Sequence, residues 1–168
     1  MRSADDEEDL LTAYHEAGHA VVGYALGGEI ERIQLGGETV DHLPDQFGDC
    51  LINWGPDSSK CNWQTHRELL TILAGPVAEM IYRGEKLHPA TFGPWQQDWQ
   101  QALARCTNFL SDETACIAFL ERLILDLYEK LSDDSAWAAI AAVADELLAH
   151  EYLEQEQLDD ALQFWLGL

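Results

Sequence analysis

The chain has 168 residues, of which 47% are hydrophobic, and its formal net charge is −22. This length is enough for one domain that buries its own hydrophobic core without disulfides. The excess of acidic residues, 31 against nine basic ones, would repel a phosphate backbone and an anionic lipid surface, so no nucleic-acid partner is expected.

Residues 1–9 form an acidic leader, interpreted as a solvated tail, which is too acidic for a secretory or transit signal. The longest apolar stretch, residues 17–26, contains His19 and is shorter than the roughly 20 residues that a membrane span needs. The cysteines show neither C-x-x-C spacing nor flanking histidines in a zinc-finger register, and we expect them to be reduced and structural. These features predict a soluble, cytoplasmic protein with no membrane span.

The first predicted helix covers residues 10–28, where apolar residues recur with the helical period. The acidic residues before it suit a helix start, because they offset the positive end of the helix dipole. Gly27-Gly28 ends the helix. Residues 29–63 are predicted to form a small sheet and loop region, with strands at residues 29–35 and 50–54. The alternation of the first strand slips once.

From residue 65 to residue 168 the pattern predicts a helical bundle. One helix ends near Gly84, and the next is expected at about residues 95–110. Residues 111–114 offer caps for a helix to about residue 131, residues 132–134 cap another through Ala136 to His150, and a last short helix spans about residues 154–166. The expected fold class is therefore mainly α with a small β-sheet inserted after the first helix. Residues 1–168 are interpreted as a single domain.

An H-E-x-x-H sequence, His15-Glu16-Ala17-Gly18-His19, lies inside the first predicted helix. Two histidines four residues apart lie one turn above each other, so their imidazoles converge on one ion. Glu16 projects beside them and can take a proton from a water that the metal activates. The pattern indicates a zinc hydrolase with His15 and His19 as metal ligands. The alternative is a helix whose histidines are only solvated or hydrogen-bonded.

A third zinc ligand must come from elsewhere, because catalytic zinc sites usually have three protein ligands and one open position. Two carboxylates are candidates. Glu79 lies in the apolar segment of residues 73–81, where an inward-facing carboxylate needs a partner. Asp98 lies near the start of the next predicted helix, between Trp95 and Trp99. With Trp54 and Trp63 upstream, these tryptophans are interpreted as core and rim rather than as a binding cage. The residue pattern leaves both candidates open.

Three segments carry a family resemblance: Thr12–Gly23, Leu73–Glu79 and Gln97–Ala102. They resemble the motif helix, the glycine-rich segment and the Asn-Asp segment of the proteolytic domain of FtsH-type membrane-anchored ATP-dependent zinc proteases. The resemblance implies a helical zincin fold of that peptidase type with Zn²⁺ as cofactor. In that family the Asp of the Asn-Asp segment is the third zinc ligand, which implies Asp98 as the ligand here. Glu79 then supports a ligand or the packing around it.

Several positions depart from the family pattern. Pro76 stands where the family usually has Arg, Gln97 replaces Asn, and residues 36–63 do not follow the family. The sequence contains no G-x-x-x-x-G-K-[ST] motif for ATP. We therefore expect a zinc metallopeptidase that cleaves peptides or unfolded proteins without ATP, with Glu16 as its general base. The alternative is an inactive metal-containing adaptor or binding module derived from such a peptidase.

Self-association is a further expectation, since the resemblance implies ring assembly. Apolar residues near the C-terminus are expected to be exposed and to favour a homo-oligomer, namely Leu162, Phe164, Trp165 and Leu166. The large negative charge opposes it.

Overall fold

Six α-helices and four short strands make up the part of the chain that the computed structural model describes, residues 3–35, 46–47, 50–55 and 62–166. The helices are Ala4–Ala25 (α1), Asn62–Arg83 (α2), Gln96–Cys106 (α3), Glu113–Leu131 (α4), Asp134–His150 (α5) and Gln155–Leu166 (α6). The strands are Glu29–Gln34 (β1), Gln46–Phe47 (β2), Cys50–Asn53 (β3) and Tyr152–Glu154 (β4). The predicted mainly α fold with a small sheet is confirmed.

Helix α1 begins at Ala4 rather than at residue 10, because the acidic residues before residue 10 are helical. Ser3 Oγ accepts a hydrogen bond from the backbone N–H of Asp6, and the Asp6 carboxylate accepts one from the backbone N–H of Ser3. This capping box satisfies two backbone donors that a helix start leaves unpaired. Residues 4–9 are therefore the first turns of α1 rather than a separate leader, although their side chains are exposed.

The four strands form one antiparallel sheet in the order β2-β3-β1-β4. The slip in the alternation of β1 is a β-bulge between Ile30 and Arg32, where the pairing with β3 shifts by one residue. The extra residue lets both Ile30 and Ile33 enter the core although they are three positions apart. Strands β2 and β4 were not predicted, because segments of two or three residues are too short to show alternation.

Helix α1 packs between α2 and α5, and this position determines where its histidines lie. Tyr14 stacks on Tyr82 of α2 and on Trp137 of α5, with ring centroids 4.3 and 5.3 Å apart. At Gly18 a Cβ atom would lie 2.4 Å from the carbonyl oxygen of Ala74 on α2. Glycine is therefore needed for the close crossing of α1 and α2, which places the H-E-x-x-H segment against the middle of α2.

The described cysteines, Cys50, Cys106 and Cys116, are buried, and Cys61 lies outside the described residues. Within the described segments, no helix combines the length and the hydrophobicity that crossing a bilayer requires.

The C-terminal apolar residues differ partly from the expectation. Leu162 is fully buried, so its predicted exposure was wrong, because it lies on the core face of α6 together with Leu158. Phe164 and Trp165 are 78% and 42% exposed, and Leu166 is half-buried. Self-association stays a prediction.

Candidate metal centre

Helices α1 and α3 bring His15, His19 and Asp98 together. The histidines lie one turn apart on α1, and Asp98 lies in the first turn of α3. Asp98 Oδ2 is 2.8 Å from His15 Nε2 and 3.6 Å from His19 Nε2. His19 is fully buried and Asp98 is 6% exposed. The Nε2 atoms of both histidines therefore face one carboxylate oxygen in a site almost closed to solvent.

The other ring nitrogen of each histidine is held by α2. His15 Nδ1 lies 3.0 Å from Glu79 Oε2, and His19 Nδ1 lies 2.8 Å from the backbone carbonyl oxygen of Thr71. A carbonyl oxygen can only accept, so the Nδ1 of His19 donates. Hydrogen bonds of this kind fix the tautomer and the ring orientation of metal-binding histidines, and they direct Nε2 toward the metal.

Glu79 lies behind His15, away from the Nε2 atoms. Its Oε2 accepts hydrogen bonds from His15 Nδ1 and from the indole Nε1–H of Trp95. Its Oε1 accepts from Arg83, with Nε and Nη2 at 3.1 and 3.0 Å. The inward-facing carboxylate thus has the partners that the sequence led us to expect. The two carboxylates that the residue pattern left open contact opposite nitrogens of His15.

Glu16 is a third carboxylate of the cluster and is 5% exposed. His15, Glu16 and His19 each offer one ligand atom, and these atoms all lie within 4.8 Å of one another. Carboxylate oxygens that could bind a metal therefore lie near the two imidazoles on both helices, from Glu16 on α1 and from Asp98 on α3.

The charges of the cluster stabilise one another. Burial acts to lower the pKa of His15, but its hydrogen bonds to Asp98 and Glu79 outweigh burial and hold that pKa well above the usual value. Burial acts to raise the pKa of Asp98, but the neighbouring His19 and His15 hold it well below the usual value. The raised pKa favours the protonated form of His15 between the two carboxylates. A divalent cation beside His15 Nε2 would compensate the negative charge of the carboxylates in the same way as a protonated His15.

Three properties of these residues fit a zinc ion. The buried His19 Nε2 has no hydrogen-bond partner in the described part of the chain, an unfavourable state that a metal bond would relieve. Two tetrahedral zinc ligands at about 2.1 Å from the ion lie roughly 3.4 Å apart. The separations of 2.8 and 3.6 Å from Asp98 Oδ2 lie on either side of that value. Two imidazoles and one carboxylate also form a known ligand set of catalytic zinc.

Gly75 of α2 faces the two Nε2 atoms, and its role was missed in the sequence. A Cβ atom there would lie 2.4 Å from His19 Nε2 and 2.8 Å from His15 Nε2. Any side chain would therefore displace the imidazoles or fill the space in front of them. The available signal was that Gly75 precedes Glu79 by one helical turn and so shares its face of α2. The carbonyl of Thr71 had no such signal, since every residue has one.

We expect Gly75→Ala to weaken zinc binding about 10-fold or more, because the methyl group overlaps the metal-facing nitrogens. Alanine favours a helix over glycine, so a loss of helix stability would not explain the effect. Competition with a chromophoric chelator measures the affinity. Gly93→Ala is the matched control, since a Cβ atom there meets nothing within 4 Å. Equal affinities of Gly75→Ala and wild type would show that the site has room for the methyl group.

Comparison with curated proteins finds the ATP-dependent zinc metalloprotease FtsH of Protochlamydia amoebophila (strain UWE25). The identity is 29% over 181 aligned positions that cover 92% of this chain, and the chain spans 18% of the length of that protein. No protein-family model matches the chain. The alignment supports a relation to FtsH, the family that the three motif segments resemble.

Proposed function

We propose that this chain is a zinc-dependent metallopeptidase of the FtsH peptidase type. His15, His19 and Asp98 hold the zinc, and Glu16 is the general base. The proposal depends above all on one observation, the convergence of both histidine Nε2 atoms on Asp98 Oδ2 in a buried site. The similar FtsH protein is a zinc metalloprotease by name, which supports the same chemistry.

The site residues divide the work of hydrolysis between them. His15, His19 and Asp98 would hold the zinc, which when bound would supply a Lewis acid that lowers the pKa of a water toward neutrality. Glu16 accepts a proton from the attacking water and delivers it to the leaving amine as the C–N bond breaks. Glu79 and the Thr71 carbonyl hold the Nδ1 protons of the two histidines, which leaves each Nε2 lone pair for the metal.

Peptides and unfolded proteins are the proposed substrates. The side chain of His15 is only 12% exposed, so an extended chain can reach it more readily than a folded surface. We propose that residues 1–168 act as one peptidase-like domain and cleave without ATP, since they contain no G-x-x-x-x-G-K-[ST] sequence. The ATP dependence in the name of the FtsH relative is a property of a much longer protein.

Removal of the metal tests this function. We expect the purified chain to cleave a fluorescently labelled casein, to lose that activity with a zinc chelator and to regain it with added zinc. A non-chelating isomer of the same chelator is the control for side effects, and ATP should change nothing. Cleavage that survives complete zinc removal would contradict the proposal. No cleavage by fully zinc-loaded protein would favour the adaptor alternative.

A further inference from the structure

The geometry points to Trp95 as a positioning residue of the metal site, which acts on His15 through Glu79. This inference rests on the proposed zinc site. Trp95 is fully buried, and its indole Nε1–H donates to Glu79 Oε2. That same oxygen lies 3.0 Å from His15 Nδ1. A buried indole N–H needs an acceptor, and here the acceptor is the carboxylate that orients a proposed zinc ligand.

The two oxygens of Glu79 have different partners, and both are needed to fix its carboxylate plane. Arg83 binds Oε1 only. The terminal torsion of a glutamate is broad, so a contact at Oε1 alone leaves the direction of Oε2 poorly defined. The indole N–H of Trp95 contacts Oε2 from α3's side of the site. Together the two donors determine where His15 Nδ1 finds its acceptor.

Trp95 also links the two carboxylates that contact His15. It ends a single 3-10 turn, Gly93–Trp95, and α3 begins at the next residue. Asp98 follows three residues later and contacts His15 Nε2. The hydrogen bond from Trp95 to Glu79 therefore connects the start of α3 to α2. It sets the distance between the Glu79 and Asp98 carboxylates on the two sides of the His15 imidazole.

The packing around Trp95 holds the same cluster together. The ring of Phe92 meets the indole edge to face at a centroid distance of 4.4 Å. The guanidinium of Arg83 also lies over the Phe92 ring, 5.1 Å from its centroid. Trp95 and Arg83, which both donate to Glu79, thus also pack against Phe92, so a shift of the indole would disturb Arg83 as well.

The test removes the N–H and keeps the ring. Trp95→Phe should weaken zinc binding about 10-fold, the lower end for groups that support metal ligands. It should also shift the visible absorption bands of the Co²⁺-substituted protein, which respond to ligand geometry. Trp99→Phe is the matched control, because Trp99 is also buried and lies one turn further along α3, where its ring contacts His88. This control should leave the affinity and the bands unchanged.

A double-mutant comparison shows whether Trp95 acts through Glu79. In a Glu79→Gln background, Trp95→Phe should produce little further loss of zinc affinity, because the bond it removes has already been weakened. Additive losses would assign Trp95 a purely structural role. If Trp95→Phe does not fold, benzothienylalanine at position 95 keeps the volume and replaces the N–H by sulfur.

The outcomes separate this inference from the proposed function. Wild-type zinc affinity and unchanged cobalt bands in a folded Trp95→Phe protein would overturn the role of Trp95 and leave the zinc site standing. Failure of the wild-type chain to bind zinc would overturn both.

Discussion

We expect Glu16→Gln to lose most peptide cleavage while it keeps the fold and the zinc. The amide has nearly the same shape as the carboxylate, so this buried position gains no cavity, but the amide cannot accept a proton from the attacking water. Loss of a general base typically lowers the rate about 10²- to 10⁴-fold. Initial rates of casein cleavage at equal zinc content measure the effect.

Zinc content decides which role Glu16 has, because its carboxylate lies among the possible ligand atoms. Loss of zinc from Glu16→Gln would make it a ligand rather than a base. Glu8→Gln, an exposed position on the same helix, is the matched control and should retain full activity. Equal cleavage by wild type and Glu16→Gln would mean a contaminating protease or a different mechanism.

We expect Asp98→Ala to abolish tight zinc binding and Glu79→Ala to weaken it only about 10- to 100-fold. The physical reason is the side of His15 that each carboxylate contacts. Asp98 faces the Nε2 atoms of both histidines, and Glu79 contacts only the Nδ1 of His15. Competition with a chelator measures the zinc affinities of the two variants and shows which one is lower. Thermal melting of the metal-free proteins is the folding control. The reverse order would show that the ligand is Glu79.

The local parts of the site could be predicted from the sequence because they depend on helix geometry alone. His15 and His19 are four residues apart, and this spacing sets their rings on one face of any helix. The ends of helices α4, α5 and α6 were also close to their predicted positions, since capping residues and apolar periodicity are local signals.

The long-range parts could not be predicted from the residue pattern. Asp98 and Glu79 are both acidic residues in helices, and only the packing of α3 and α2 against α1 places them on opposite sides of His15. Trp95 belongs to the cluster interpreted as core and rim and is fully buried, yet the target of its N–H depends on the same packing. The space in front of Gly75 likewise exists only once the two helices have crossed.

The zinc content of the purified wild-type chain tests the central claim most directly. After metal reconstitution and removal of free ions, elemental analysis should find about one zinc per chain, because two histidines and one carboxylate form a three-ligand site with an open position. Clearly substoichiometric zinc in folded protein would contradict the metal site and, with it, the proposed peptidase chemistry.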